Sequence, residues 1–145
     1  MPATILRRPI SVLVVVVSDD GYALLLRRQE PFDFWQSITG SLQPGETHAD
    51  AARRELFEET GMSDAGALRF SGVSRQFVID PRWREKFATS AVENVEFEWH
   101  YRLPARTEVQ ICEDEHSDFC WLPVKEAAQK VWSWTNRDAL HGLCQ

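Results

Sequence analysis

The 145-residue sequence predicts a single α/β (α+β) domain over residues 1–145, with a mixed sheet covered by helices. Three stretches carry that prediction. Pro9 to Val17 is β-branched and almost continuously apolar, Val95 to Leu103 alternates apolar with polar residues, and Thr47 to Gly61 reads as a helix with both ends marked. Strands and helices following one another along a chain that closes on a helix make a sheet with helices packed on it.

The run Pro9 to Val17 indicates a central strand buried on both faces. Asp19-Asp20-Gly21 is a hairpin signal, and Tyr22 to Arg27 is the returning strand. In simple register, this hairpin gathers Arg7, Arg8, Arg27 and Arg28 at one end of the sheet. The four arginines suit a phosphate clamp, because guanidinium forks match phosphate oxygens, or else they are solvated charges at strand ends. Asp33 to Ser41 is a short strand, and Gly40 near its end permits close backbone approach to a ligand. Leu68 to Ile79 is one strand broken near Gly72, or a strand pair. Asp80 to Ala91 reads as an exposed loop. Val95, Phe97, Trp99, Tyr101 and Leu103 mark a strand with one buried face, His100 lying on its polar side. The acidic loop Cys112 to His116 leads into a strand from Asp118 to Leu122. Lys125 to Val131 has helical composition, and Thr135 caps a last helix that runs through Leu140 and ends at Gly142.

The helix before Gly61 carries the chemistry. Gln43-Pro44-Gly45-Glu46 suits a type II turn with glycine at its positive-φ position. Thr47 with Asp50 forms a capping-box-like pair, and Gly61 ends the helix in a left-handed conformation. Glu55, Glu58 and Glu59, at spacings of three and four residues, project from one face. Like charges at these spacings repel. Magnesium offsets the repulsion, since it takes carboxylate oxygens, waters and substrate phosphates as ligands. The competing reading of such an E-rich run alone is a solvated surface face.

Composition bounds the rest. A net charge of -6 argues against a general nucleic-acid or anionic-membrane surface, but not against an anionic small molecule held by a metal and local arginines. Cys112, Cys120 and Cys144 are odd in number and form no C-x-x-C pair, so reduced thiols are expected. Ile10 to Val17 is too short to span a bilayer, and no small-residue cleavage site follows it, which makes the cytoplasm the expected location. Six tryptophans and eight phenylalanines are a high aromatic load. Phe34, Trp35, Trp132 and Trp134 lie near enough in sequence to site elements to stack on a flat heterocycle, or else belong to the core.

Gly40, five residues, Glu46, seven residues, Arg54-Glu55-Leu56, one residue, Glu58-Glu59, one residue and Gly61-Met62 match every defined position of the Nudix box. The chain therefore resembles the Nudix hydrolases. That resemblance implies an α/β/α sandwich with a catalytic loop-helix-loop, and hydrolysis of a substituted pyrophosphate with Mg2+ or Mn2+. It further implies that Glu55, Glu58 and Glu59 hold the metal, that the Gly40 carbonyl joins its shell, and that Arg54 orients the carboxylates. A carboxylate from outside the box completes the site, Glu113, Asp114 and Glu115 being the candidates. The general base stays open between a box glutamate and that outer residue.

A narrower resemblance runs from residue 7 to residue 137. Arg7-Arg8-Pro9, Asp33 to Ser41, Glu115-His116 with Trp121-Leu122, and Ser133 to Arg137 are similar to the branch of the family that removes pyrophosphate from dihydroneopterin triphosphate in bacterial folate synthesis. This selects Glu115 as the outer ligand. It implies substrate contacts at Arg7, Arg27, Thr39, Phe77, Val78, Ile79, Asp80 and Ser133, although the loop Gln29 to Phe32 is longer than in that pattern. The expected partner is a small pterin or nucleoside triphosphate, with neither nucleic acid nor membrane, and the expected state a monomer or homodimer. A broad nucleoside triphosphate pyrophosphohydrolase and a non-catalytic Nudix-fold sensor are the alternatives.

Overall fold

The computed structural model describes residues 6–63, 67–87 and 91–144. Its strands are β1 (Ile10–Ser18), β2 (Tyr22–Arg28), β3 (Phe34–Gln36), β4 (Ile38–Ser41), β5 (Leu68–Val78), β6 (Glu93–Leu103) and β7 (Asp118–Pro123). Its helices are α1 (His48–Thr60), α2 (Pro81–Arg84), α3 (Val124–Lys130) and α4 (Trp134–Gly142). The predicted mixed sheet with helices on it is present. β1 pairs in parallel with β6 along its whole length, from Ile10↔Val95 to Ser18↔Leu103, and β5 runs antiparallel on the far side of β6.

The strand β1 is buried on both faces, as its composition requires. Its even-numbered residues Val12, Val14 and Val16 join Leu24, Leu26, Leu56 of α1 and Trp99 in one core. Its odd-numbered residues Leu13 and Val15 join Leu25, Ala127, Ala128, Ala139 and Leu140 in a second core beneath α3 and α4. The two-residue period of a strand assigns each side chain to one layer, so helices on both sides produce the α/β/α arrangement. No described helix is long and apolar enough to cross a membrane.

Several local readings change. The β1–β2 hairpin pairs only at Val17↔Ala23, because β4 takes the same edge of β1 from Ser11 to Val14 and β3 takes that edge of β2 from Leu26 to Arg28. β3 and β4 are thus wedged between strands that a simple hairpin would keep together. The expected single strand from Asp33 to Ser41 is split at Ser37, whose backbone N–H donates to Asn136 Oδ1 at 2.8 Å while its Oγ accepts from Asn136 Nδ2 at 2.9 Å. Asp80 to Phe87 is not wholly loop. Pro81 opens the short helix α2, where its missing N–H costs nothing, and Asp80 caps it by accepting from the Arg82 N–H at 2.9 Å. Residues 88–90 of that expected loop lie outside the described residues.

Helix α4 starts earlier than expected. Ser133, not Thr135, is its N-cap, its extended backbone aiming Oγ at the Asn136 N–H; Thr135 lies buried inside the first turn. The polar side of β6 also differs from expectation. Flanked by β1 and β5, it buries Asn94, Glu96 and Glu98 and does not present them to solvent, while His100 hydrogen-bonds Glu98 at 2.6 Å.

Asn136 is the tie between α4 and the strand break. Asn136→Ala would leave the buried Ser37 N–H without an acceptor, so it should cost about 2–4 kcal/mol of unfolding free energy, read as a lower urea midpoint at unchanged slope. A midpoint within error of wild type would remove this tie from the account.

Candidate active site

The turn before α1 folds as its residues dictate. Gly45 takes φ 77°, Glu46 N–H donates to the Gln43 carbonyl at 3.0 Å, and the Thr47–Asp50 capping box and left-handed Gly61 close the helix at its two ends. This geometry returns Glu46 to the helix side, where Arg54 meets it. Arg54 Nε donates to Glu46 Oε2 at 2.7 Å and Nη2 to Glu46 Oε1 at 2.9 Å, a forked pair. The same guanidinium donates to Glu55 Oε1 at 2.7 Å, to Glu58 Oε2 at 3.2 Å and to the Ser41 carbonyl at 3.0 Å. One cation therefore sets the turn, the end of β4 and the box carboxylates relative to one another.

The three box glutamates are not equivalent. Glu55 and Glu59 are 8% and 2% exposed, whereas Glu58 stands at the surface with its carboxylate on Arg54. Burial pushes the Glu55 carboxyl up to about 7, against the opposing pull of Arg54. Burial raises Glu59 well above the usual carboxylate range, and the charges of Glu55 and Glu115 add to it. Gly40 lies so close to Glu55 that a Cβ there would collide with the carboxylate, which accounts for glycine at this position.

Glu59 meets the loop before β7. Glu59, Glu115 and His116 each offer a donor atom, all within 4.8 Å of one another. His116 Nε2 lies 3.8 Å from Glu59 Oε1, and burial drives its imidazole down to about 4, so the ring is neutral. Glu59 Oε2 and both ring nitrogens of His116 are buried without a hydrogen-bond partner. Two carboxylates, a neutral imidazole and orphaned buried atoms fit a divalent cation.

A cleft of about 610 Å³ opens beside this group. Arg7, Thr39, Gly40, Phe77, Val78, Ile79, Asp80 and Ser133 line it, together with Glu55, Glu59 and Glu115. Arg27 does not. Successive residues of a strand face opposite ways, so Arg28 enters the cleft while Arg27 turns away to Asp33, bonded at 2.8 and 2.6 Å. Arg7, Arg8 and Arg28 are the arginines gathered at that end. Burial and the nearby Arg28 charge lower the Arg7 value. Phe34 and Trp132 line the cleft, their rings 5.7 Å apart, and Trp134 lines it too. Trp35 packs instead into the second core, with Lys130 Nζ 5.3 Å from its ring. Sequence reasoning missed His116 as a donor and Asn94 and Glu96 as cleft residues. No local signal marks the last two, since the cover over that side of β6 includes α4, whose Thr135 bonds Glu96.

A cleft floored by a mixed sheet, with an arginine-bound turn and an acidic helix at its mouth, defines the Nudix class. The NUDIX domain family matches residues 7–143, and the chain belongs to it. Dihydroneopterin triphosphate diphosphatase of Escherichia coli K12 is 37% identical over 97% of this chain and 95% of its own length. The enzyme of that name from Haemophilus influenzae is 35% identical over 90% of this chain and 84% of its own length. The solved E. coli dihydroneopterin triphosphate pyrophosphohydrolase superposes with a TM-score of 0.90 at 33% identity, covering 95% of this chain and 96% of that one. A Caenorhabditis elegans Ap4A hydrolase shares the fold, with a TM-score of 0.72 at 20% identity, over 93% of this chain and 94% of its own.

Burial also pushes the Glu96 carboxyl up to about 7 from 4.5, more than a Thr135 hydrogen bond and the Arg75 charge lower it. A carboxyl raised on folding contributes stability that is complete below its unfolded value and lost as pH rises through its folded value. Glu96→Gln removes that loss. Its melting temperature should exceed wild type by a margin that grows between about pH 5 and about pH 8 and vanishes near about pH 4. Parallel curves would contradict the assignment.

Proposed function

We propose that this chain hydrolyses dihydroneopterin triphosphate to dihydroneopterin monophosphate and pyrophosphate, in the cytoplasm, with Mg2+ as its metal and Mn2+ able to replace it. The observation that carries the reading is similarity over nearly the whole length to diphosphatases named for that substrate, in a chain that keeps every box residue.

Arg7, Arg8 and Arg28 receive the triphosphate oxygens at the end of the sheet. Glu59, Glu115 and His116 would hold the cation, with Glu55 lining the cleft beside them and Glu58 at the surface on Arg54. Chemistry supplied by such a cation would be neutralisation of phosphate charge and a lowered pKa for water. Water adds its oxygen to phosphorus as the anhydride bond breaks, and the bond's electron pair leaves with the departing phosphate oxygen. The proton of that water passes to a carboxylate. Glu55 suits this task, since it lines the cleft and Arg54 on its Oε1 fixes its direction. Gly40 keeps space for that carboxylate.

Two measurements test the reading. Offered dihydroneopterin triphosphate and a deoxynucleoside triphosphate at equal concentration, the enzyme should consume the pterin first; a strong preference for the nucleotide would favour a housekeeping role. Glu59→Gln should lose at least about 100-fold in kcat while its far-UV circular dichroism stays unchanged. Retained turnover would leave Glu59 a structural residue only.

A further inference from the structure

Away from the carboxylates of α1, the floor of the cleft holds a second set of buried polar groups. Asn94 is 1% exposed, and its Nδ2 donates to Ser11 Oγ at 2.7 Å, which leaves Oδ1 without a donor. Glu96 is 6% exposed; Thr135 bonds its carboxylate, yet Oε1 has no partner. Gln36 Nε2, also buried and lining the cleft, lacks an acceptor. Asn94 and Glu96 are two residues apart on β6 and share one face, with Ser11 in register opposite Glu96.

These groups are not explained by packing. An unpaired buried acceptor is costly, and an unpaired buried carboxylate more so. The nearest strand-neighbour cation does not serve Glu96 directly, because Arg75 Nη1 is bonded to Glu98 at 2.6 Å. A ligand that supplies the missing partners must bring two N–H donors for Asn94 Oδ1 and Glu96 Oε1, and one acceptor for Gln36 Nε2. It must also be flat enough to lie among Phe34, Trp132 and Trp134. A 2-amino-4-oxopyrimidine edge has this pattern. Its ring N–H and exocyclic amine are adjacent donors, and its carbonyl is an acceptor.

We propose that Asn94 and Glu96, with Gln36, read the 2-amino-4-oxopyrimidine edge of the substrate's heterocycle and set its selectivity. The inference rests on the pterin triphosphate reading above and extends it, since guanine carries the same edge. Adenine presents an unprotonated ring nitrogen in its place and would set one acceptor against another.

The test uses GTP, ITP, which lacks only the 2-amino group, and ATP as probes of the wild-type enzyme, with dihydroneopterin triphosphate alongside. Loss of one hydrogen bond to a charged group should raise KM about tenfold or more from GTP to ITP, with kcat little changed, and ATP should be poorer still. In Glu96→Ala the GTP-to-ITP ratio should collapse toward one, while Glu96→Gln, which keeps one acceptor oxygen, should fall between it and wild type. Equal KM for GTP and ITP in wild type, which requires no variant to fold, would overturn the proposal. A ratio that persists in both Glu96 variants would overturn it as well. Failure of the substrate reading looks different: dihydroneopterin triphosphate would then be no better than GTP, whatever the GTP-to-ITP ratio.

Discussion

Two carboxylates buried against the sheet are the constraint around which this molecule is arranged. Glu55 and Glu59 sit on the face of α1 that turns inward, with Glu115 brought alongside from the loop before β7. Taking such groups out of water disfavours their charge, and placing them together disfavours it further. The surroundings answer with little. Arg54 serves Glu55, but Glu59 has a neutral imidazole and a like charge as neighbours. Part of the folding free energy is therefore held back at this point, and a divalent cation bound there would recover it.

The rest of the site follows from positioning that group. Arg54 is the joint, since its guanidinium reaches the turn through Glu46, the strand through the Ser41 carbonyl and the helix through Glu55 and Glu58. Gly40 yields the space that the Glu55 carboxylate fills. The wedge of β3 and β4 between β1 and β2 sets Gly40 opposite Val12 of β1, beside the Glu55 carboxylate.

How much of this could be read from the sequence depended on the range of the interaction. The caps of α1, the turn at Gly45 and the buried strand β1 rest on neighbours within a few residues or on a run of one residue class, and they are where the sequence puts them. The pairing of β1 with β4, which splits the hairpin, and the bond of Asn136 to Ser37 join residues far apart in the chain, and neither has a local signature. From the sequence the cap of α4 falls at Thr135, but the extended backbone lies two residues earlier, at Ser133, whose Oγ takes the Asn136 N–H. Asn94 and Glu96 have the alternation of the wet side of a half-buried strand, because the cover over them includes Thr135 of α4, far along the chain. In the site, the glutamates of the box and Glu115 were nameable from the motif and the resemblance. The separation of exposed Glu58 from buried Glu55 and Glu59 was not, since a helical wheel shows which residues share a side and not how deep that side is sunk.

Thermal unfolding of wild type and Glu59→Gln, with chelator and then with Mg2+, tests the central claim most directly. If the buried carboxylates are held at a cost that a cation relieves, the variant melts higher than wild type in chelator, and Mg2+ raises wild type past it. A wild type that is already the more stable protein in chelator, or a Mg2+ shift equal in both, would contradict the account.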